Sequence, residues 1–306
     1  MVCLQPCEGM SYRTCILEIR EEGHMHNNDF RIRRYRIPTA KLDHEVRICF
    51  LTDWHASKKS LTGSFLINIL RQENPDLILV GGDMATAASF ESLKTADRFM
   101  REAGRRWQVY YARGNHETRL YQSDLSHKRY MEYIHRLKKA GVCFLDNTHE
   151  TFETGGNKIE IYGFSLPMGY YRKPFPPSLS YARFERTVGK VPDDRLCILL
   201  AHTPLYAEQY FAWGADLILC GHYHGGVVRF DEHHGAVSPQ LVLFPRYCCG
   251  EFKKGGSTLI TGAGLGEHGF LPGFPHPHLP LRYNNPREFV TIDLIPSGEQ
   301  ETLNGA

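Results

Sequence analysis

Residues 45–55 read EVRICFLTDWH, a mostly apolar, β-rich run of strand length that ends on Asp53, Trp54 and His55. A near-continuous apolar run of this length suits a strand buried on both faces. The same plan returns four times. PDLILV (75–80) leads into Gly81, Gly82 and Asp83; WQVYYA (107–112) leads through Arg113 into Gly114, Asn115, His116 and Glu117. LCILLA (196–201) leads into His202, and ADLILC (215–220) into Gly221, His222, Tyr223 and His224. Ligands of open α/β sheets bind where loops converge at the carboxyl ends of the strands. Five loops delivering Asp, Asn and His to one edge therefore predict a compact cluster of oxygen and nitrogen ligands. That mixture suits Mn, Fe or Zn better than Ca or Mg, which favour all-oxygen shells. One Asp or His after a strand is ordinarily a cap or turn residue; five such coincidences are not. Gly82, Gly114 and Gly221 each adjoin a candidate ligand, where a backbone without Cβ turns tightly.

Helical spacing fills the gaps between the first strands. Phe65, Leu66, Ile69 and Leu70 share a face before Pro75, and Phe90, Leu93, Phe99 and Met100 precede Gly104. Tyr130, Met131, Ile134 and Leu137 form a third stripe that stops at Gly141. Strand alternating with helix implies an α/β fold with a parallel sheet. The pattern then changes. Residues 150–154 and 158–164 flank Gly155, Gly156 and Asn157 as a hairpin, and further strands are expected at 226–230, 257–261 and 288–294. These predict a second, largely antiparallel sheet packed on the first, a four-layer αββα sandwich of two mixed sheets. Residues 45–295 then form a single domain. Residues 1–44 contribute a strand joining the sheet, and 296–306 form a frayed tail.

The chain of 306 residues is 42% hydrophobic, ample for a buried core. Lys and Arg number 36 against 34 Asp and Glu, so no electrostatic argument for nucleic-acid binding arises. Of nine cysteines, Cys49, Cys197 and Cys220 lie in apolar runs, which suits reduced buried thiols. No apolar stretch reaches the roughly 20 residues of a transmembrane helix, and the first residues lack the pattern of a signal peptide. The expectation is a cytoplasmic protein, with peripheral membrane contact left open.

The series Asp53-x-His55, Gly82-Asp83, Gly114-Asn115-His116-Glu117, His202 and Gly221-His222-x-His224 resembles the calcineurin-like metallophosphoesterase superfamily, matching its five blocks in order. GHYHGG (221–226), the glycines 262, 264 and 266, and Arg282-x-Asn284-Asn285-Pro286 look like the bacterial YkuE/YaeI-type phosphohydrolases. The resemblance implies two divalent metal ions, Mn first and Fe or Zn as alternatives. Asp53, His55 and His224 would hold one ion and Asn115, His202 and His222 the other, with Asp83 bridging. A water or hydroxide between them would attack the phosphoester. His116, a non-ligand, would protonate the leaving oxygen or steady the phosphoryl group. Arg113 resembles the phosphate-gripping arginine of the serine/threonine protein phosphatases, against the alternative of a salt-bridged strand-end arginine. Glu117 stands where most bacterial members have Asp. Those relatives commonly carry an export or membrane segment, and none is read here.

The activity implied is hydrolysis of phosphomonoesters or phosphodiesters, on a substrate whose lipid-linked or nucleotide character stays open, as does the oligomeric state. The alternatives are a pyrophosphate hydrolase acting on a nucleotide-lipid and a non-catalytic protein-binding scaffold. Trp54 either floors the pocket or fills the core. Residues 262–266 read as a tight turn before a phosphate cradle. Residues 269–274 with 170–175 read as packed loops before an apolar substrate rim, and His233, His234, His276 and His278 as solvated.

Overall fold

The computed structural model describes residues 14–18, 30–57, 61–266 and 282–297. The expected frayed tail beyond 297, His276, His278 and the 269–274 rim lie outside these residues. In chain order the elements are β1 (Thr14–Glu18), β2 (Phe30–Thr39), β3 (Val46–Leu51), α1 (Gly63–Glu73), β4 (Leu77–Val80), α2 (Phe90–Gly104), β5 (Gln108–Ala112), α3 (Asn115–Gln122), α4 (His127–Lys139) and β6 (Val142–Leu145). They continue as β7 (Thr148–Thr154), β8 (Asn157–Phe164), α5 (Tyr181–Val188), β9 (Leu196–Ala201), α6 (Ala207–Trp213), β10 (Leu217–Cys220), β11 (Gly250–Lys254), β12 (Ser257–Thr261) and β13 (Arg287–Pro296).

Two sheets form, one ordered β1-β2-β13-β3-β4-β5-β6 and the other β11-β12-β10-β9-β8-β7. Strand alternation decides what each face buries. On β3, Val46, Ile48 and Phe50 enter the layer between the sheets, while Cys49 and Leu51 face helices. On β9, Leu196, Ile198 and Leu200 meet that same inner layer, while Cys197, Leu199 and Ala201 lie under α5 and α6. Three apolar layers result, one between the sheets and one beneath each set of helices, which is the four-layer αββα sandwich. The helices are bounded by local chemistry. Thr62 caps α1 by accepting from the Phe65 N–H, and Asn74 ends it at φ 47° just before Pro75.

Some expectations are corrected. The second sheet is parallel at its centre, where β12, β10, β9 and β8 run together, and antiparallel only at its β11 and β7 edges. Residues 288–294 fall within β13, which joins the first sheet between β2 and β3. Residues 226–230 form no strand; they carry the bridges Val228 to Tyr283 and Arg229 to Gly235. Two stripe residues also turn outward. Phe90 is 44% exposed, with the Arg129 guanidinium 4.1 Å above its ring. Met131 is 43% exposed, and Tyr133 takes the buried place on α4.

Candidate metal centre

The five polar loops come from both sheets: β3, β4 and β5 from the first, β9 and β10 from the second. They meet at one end of the sandwich. The His222 N–H donates to Asp53 Oδ2 at 2.8 Å, and His202 Nδ1 lies 2.7 Å from the Gly81 carbonyl, so each sheet's loops are bonded to the other's. The backbone there is strained. Asp53 (φ 53°), His55 (55°), Asp83 (55°), His222 (66°) and His224 (48°) all occupy the left-handed region, which non-glycine residues seldom adopt. At roughly 1–3 kcal/mol each, such conformations persist only where surroundings enforce them. Here backbone bonds do so: Asp53 N–H to Gly82 O and His55 N–H to Asp83 O, both 3.0 Å, and Gly266 N–H to Asp53 O at 2.8 Å. Two glycines permit the close approach. A Cβ on Gly114 would stand 2.2 Å from Asp83 Oδ1, and one on Gly221 would stand 2.2 Å from Asp53 Oδ2.

The side chains fall into trios. Asp53, His55 and His224 place ligand atoms within 4.8 Å of one another, as do Asp83, His202 and His222, and as do His55, Asp83 and His116. His55 and Asp83 therefore tie the outer two together. Within them, His224 Nε2 is 3.2 Å from Asp53 Oδ1 and 3.1 Å from His55 Nε2, and His202 Nε2 is 3.2 Å from Asp83 Oδ2. Asn115 directs its Oδ1 at Asp83 Oδ2 (3.1 Å), His222 Nδ1 (2.8 Å) and His202 Nε2 (3.2 Å), an acceptor among acceptors. Turning the amide over would make donor–acceptor pairs of these contacts; a cation amid the four atoms would hold it as it stands.

The electrostatics suit a cation as well. Burial pushes the Asp53 and Asp83 carboxyls up, but the imidazoles of His224 and His202 outweigh it and hold both well below the usual carboxylate range. Burial pushes His55 and His222 down to about 3, so both rings are neutral with a lone pair to give. His202 differs: burial lowers it, but Asp83 and Asp53 raise it to about 10. A cation would take that proton's place, because its Nδ1 already has the Gly81 carbonyl as partner and Nε2 faces the carboxylates. Among the described residues, the buried Asp53 Oδ1 faces the His224 and His202 Nε2 atoms at 3.2 and 3.8 Å. Deprotonated carboxylates, lone-pair imidazoles and an amide oxygen form a donor set for a divalent ion.

Residues 46–226, more than half of the chain, match the calcineurin-like phosphoesterase family. The chain belongs to that family. A metallophosphoesterase of Helicobacter pylori is 26% identical over 270 residues, covering 85% of this chain and 62% of its own length, so this chain spans less than two thirds of that relative. The phosphodiesterase YaeI of Escherichia coli is 28% identical over 258 residues, covering 80% of this chain and 86% of its own. Among solved structures, the phosphopantetheinyl hydrolase of Mycobacterium tuberculosis overlays with a TM-score of 0.44 at 14% identity, covering 73% of this chain and 91% of its own. As a calcineurin-like phosphoesterase, the chain has a domain of the metal-dependent phosphoester hydrolase type, and the trios are its candidate ligand clusters.

Other residues singled out in the phosphoesterase sequence are placed as follows. His116, at the start of α3, stands against His55 with ring centroids 4.8 Å apart, and burial lowers its pKa. Its Nδ1 accepts from the Ala87 N–H at 2.9 Å, which leaves the neutral ring's proton on Nε2. Arg113 pairs with Asp146 and lies 4.7 Å from the Tyr121 ring, the contacts of a salt-bridged strand-end arginine. Trp54 is core, packed edge-on against Phe99 at 5.0 Å. Residues 262–266 spend N–H groups on protein carbonyls, Leu265 on Thr52 and Gly266 on Asp53, so they brace the Asp53 loop. His233 and His234 are both exposed, His234 pairing with Asp231 and His233 lying with its ring 5.2 Å from that of Phe252.

Two residues that the sequence reading named without giving them a structural role have leverage on the centre. Glu117 lies buried behind it. Its Oε2 accepts from the Asp83 and Gly114 N–H groups at 2.8 and 3.1 Å, and its Oε1 from Met84 N–H and Tyr111 OH at 2.9 and 2.7 Å. Burial, with the Asp83 charge, pushes its carboxyl up, and the Tyr111 and Asp83 donors pull it back only in part, to about 7. Its place three residues after the helix cap is the capping-box spacing, a signal that was there to be read. Arg282 donates to the Ala263 and Gly266 carbonyls and lies 3.2 Å from His224 Nδ1; no local pattern links position 282 to 224.

Proposed function

We propose that the chain is a dinuclear metal-dependent hydrolase of phosphomonoester or phosphodiester bonds. Asp53, His55 and His224 would hold one divalent ion and Asn115, His202 and His222 the other, with Asp83 shared. The observation that supports it most is the pair of outer trios linked by His55 and Asp83, with the Asn115 oxygen turned into an all-acceptor cluster. Bound there, divalent ions supply an activated water and neutralise phosphate charge.

The chain's own residues do the rest. Asp83 Oδ1 accepts the His116 N–H at 2.7 Å, at the N-terminus of α3, which leaves Oδ2 as the oxygen to be shared. The Gly81 carbonyl fixes the His202 ring so that Nε2 points inward. His116, neutral and bearing its proton on Nε2, offers a hydrogen-bond donor to a phosphoryl or leaving oxygen. The relative YaeI bears the name phosphodiesterase, which favours diesters.

The test is metal content and turnover of the full chain. Elemental analysis of Mn-loaded protein should give two ions per chain, and bis-p-nitrophenyl phosphate should turn over faster than p-nitrophenyl phosphate. Chelation should abolish both activities and Mn restore them. One ion at saturation, or turnover indifferent to chelation, would overturn the reading.

A further inference from the structure

Beside the centre, three buried guanidinium groups gather about one buried carboxylate of β13, that of Glu288. The register of β2 and β13 sets Arg31 opposite Glu288. Arg31 Nη2 and Arg33 Nε share a single Glu288 oxygen at 2.7 and 3.1 Å, and Arg33 Nη2 reaches Glu232 at 2.9 Å. A third guanidinium enters from the segment after His224. Arg229 is 4% exposed, its Nη1 stands 4.0 Å from that same Glu288 oxygen, and its Nε, Nη1 and Nη2 are buried without a hydrogen-bond partner among the described residues. A buried guanidinium left unpartnered costs several kcal/mol, a large share of a domain's net stability. An anion that the chain itself does not supply would remove that cost.

The place is next to the catalytic end. Arg229 Nη2 comes within 2.8 Å of the point where a Cβ on Gly225 would lie, and Gly225 follows His224. Asn285 lies at the same point and donates its amide to the His224 carbonyl. The Glu288 N–H is bonded to the Gly264 carbonyl, and a Cβ on Gly264 would stand 2.7 Å from Asp53 Cβ. The cluster's edge is Glu232, whose side chain is 44% exposed, whereas the Arg33 and Arg229 side chains are 2% and 3% exposed.

We propose that Arg229, with Arg33 and Arg31, forms an anion subsite beside the metal centre that takes a phosphate group. A planar guanidinium with parallel N–H donors matches the edge of a tetrahedral oxyanion. The occupant is either a second phosphate on the substrate, an assignment that rests on the phosphoesterase reading, or free inorganic phosphate.

The experiment is equilibrium dialysis of radiolabelled inorganic phosphate against metal-stripped full chain, paired with thermal melts in phosphate and in chloride at equal ionic strength. Wild type should bind phosphate and melt higher in it. Arg229→Met should lose both effects and melt no lower than wild type in chloride, because it removes an uncompensated buried charge. Should that variant not fold, Arg229→Lys is the readout, with phosphate binding weakened roughly 10- to 100-fold. A wild type indifferent to phosphate, an Arg229→Lys chain with undiminished affinity, or an Arg229→Met chain that folds but melts several degrees lower in chloride would overturn the subsite. The last result would make Arg229 a structural ion-pair partner. Because binding is read without turnover, a chain that binds phosphate here yet hydrolyses nothing fails only the phosphoesterase reading. The occupant is assigned by KM in Arg229→Met. A rise at least ten-fold greater for ADP-ribose than for bis-p-nitrophenyl phosphate marks a substrate's second phosphate, and equal rises mark free phosphate.

Discussion

The Glu117 carboxylate grips Asp83 from behind, accepting its backbone N–H at 2.8 Å while its other oxygen takes the N–H of Met84. Through Gly114 it also holds the turn that delivers Asn115 and His116. All four of its partners are donors, so an amide in its place would set an NH₂ against N–H groups.

Glu117→Gln should therefore lower stability by about 1–3 kcal/mol and weaken metal binding roughly 10- to 100-fold, with every ligand still present. Urea unfolding and metal titration read the two effects separately. Metal affinity equal to wild type would show that the strained loop holds Asp83 without this brace.

Asp83 and His224 should differ in what they take away. Asp83 belongs to the trio with His202 and His222 and to the trio with His55, whereas His224 belongs to one alone. Asp83→Asn should lower the content of both ions together, and His224→Ala should leave one ion in place. Elemental analysis after gel filtration decides it; an Asp83→Asn chain that keeps two ions would remove Asp83 from its shared position.

The site was far more legible in the sequence than the sheets that build it. Each strand and its candidate ligand are contiguous, so the Asp, Asn and His after five apolar runs could be read locally. Which sheet a strand joins depends on its crossovers, and those were obscured. The parallel step from β9 to β10 uses α6, seven residues whose buried Tyr210, Phe211 and Trp213 gave no recognisable stripe, so an antiparallel second sheet was expected. The left-handed backbone at His222 and His224 was equally hidden, because tertiary bonds impose it. Arg229 and Glu288 meet only because β13 crosses back between β2 and β3.

Glu288 sets an acid limit on stability. Burial pushes its carboxyl up, but Arg33, Arg31 and Arg229 outweigh burial and hold it well below the usual range. A carboxyl depressed in the folded state contributes stability above its unfolded pKa of roughly 4.3, and loses it as pH falls toward the folded value. Wild type should therefore weaken steadily below about pH 4.5. Glu288→Gln should be less stable by about 3–5 kcal/mol at neutral pH, with a flatter acid limb. Unfolding curves of the two chains that run parallel from pH 7 to 3 would contradict this.

The last prediction concerns His116. If it stored a proton for the leaving group, it would need to be an imidazolium, with both nitrogens protonated. The Ala87 N–H already points at Nδ1 from 2.9 Å, and a second hydrogen there would face it directly. Burial disfavours the charged ring as well. The structure thus favours a neutral ring donating from Nε2, which steadies developing charge on oxygen whatever group departs. Such a donor is worth about 10²–10³-fold in rate, and its loss should fall similarly on good and poor leaving groups. His116→Ala should then slow p-nitrophenyl and alkyl phosphodiesters by factors within about ten-fold of each other, with both ions retained. A loss on alkyl esters exceeding that on p-nitrophenyl esters by about 100-fold or more would show that His116 delivers a proton. A variant that loses an ion would instead make the trio of His55, Asp83 and His116 a ligand set.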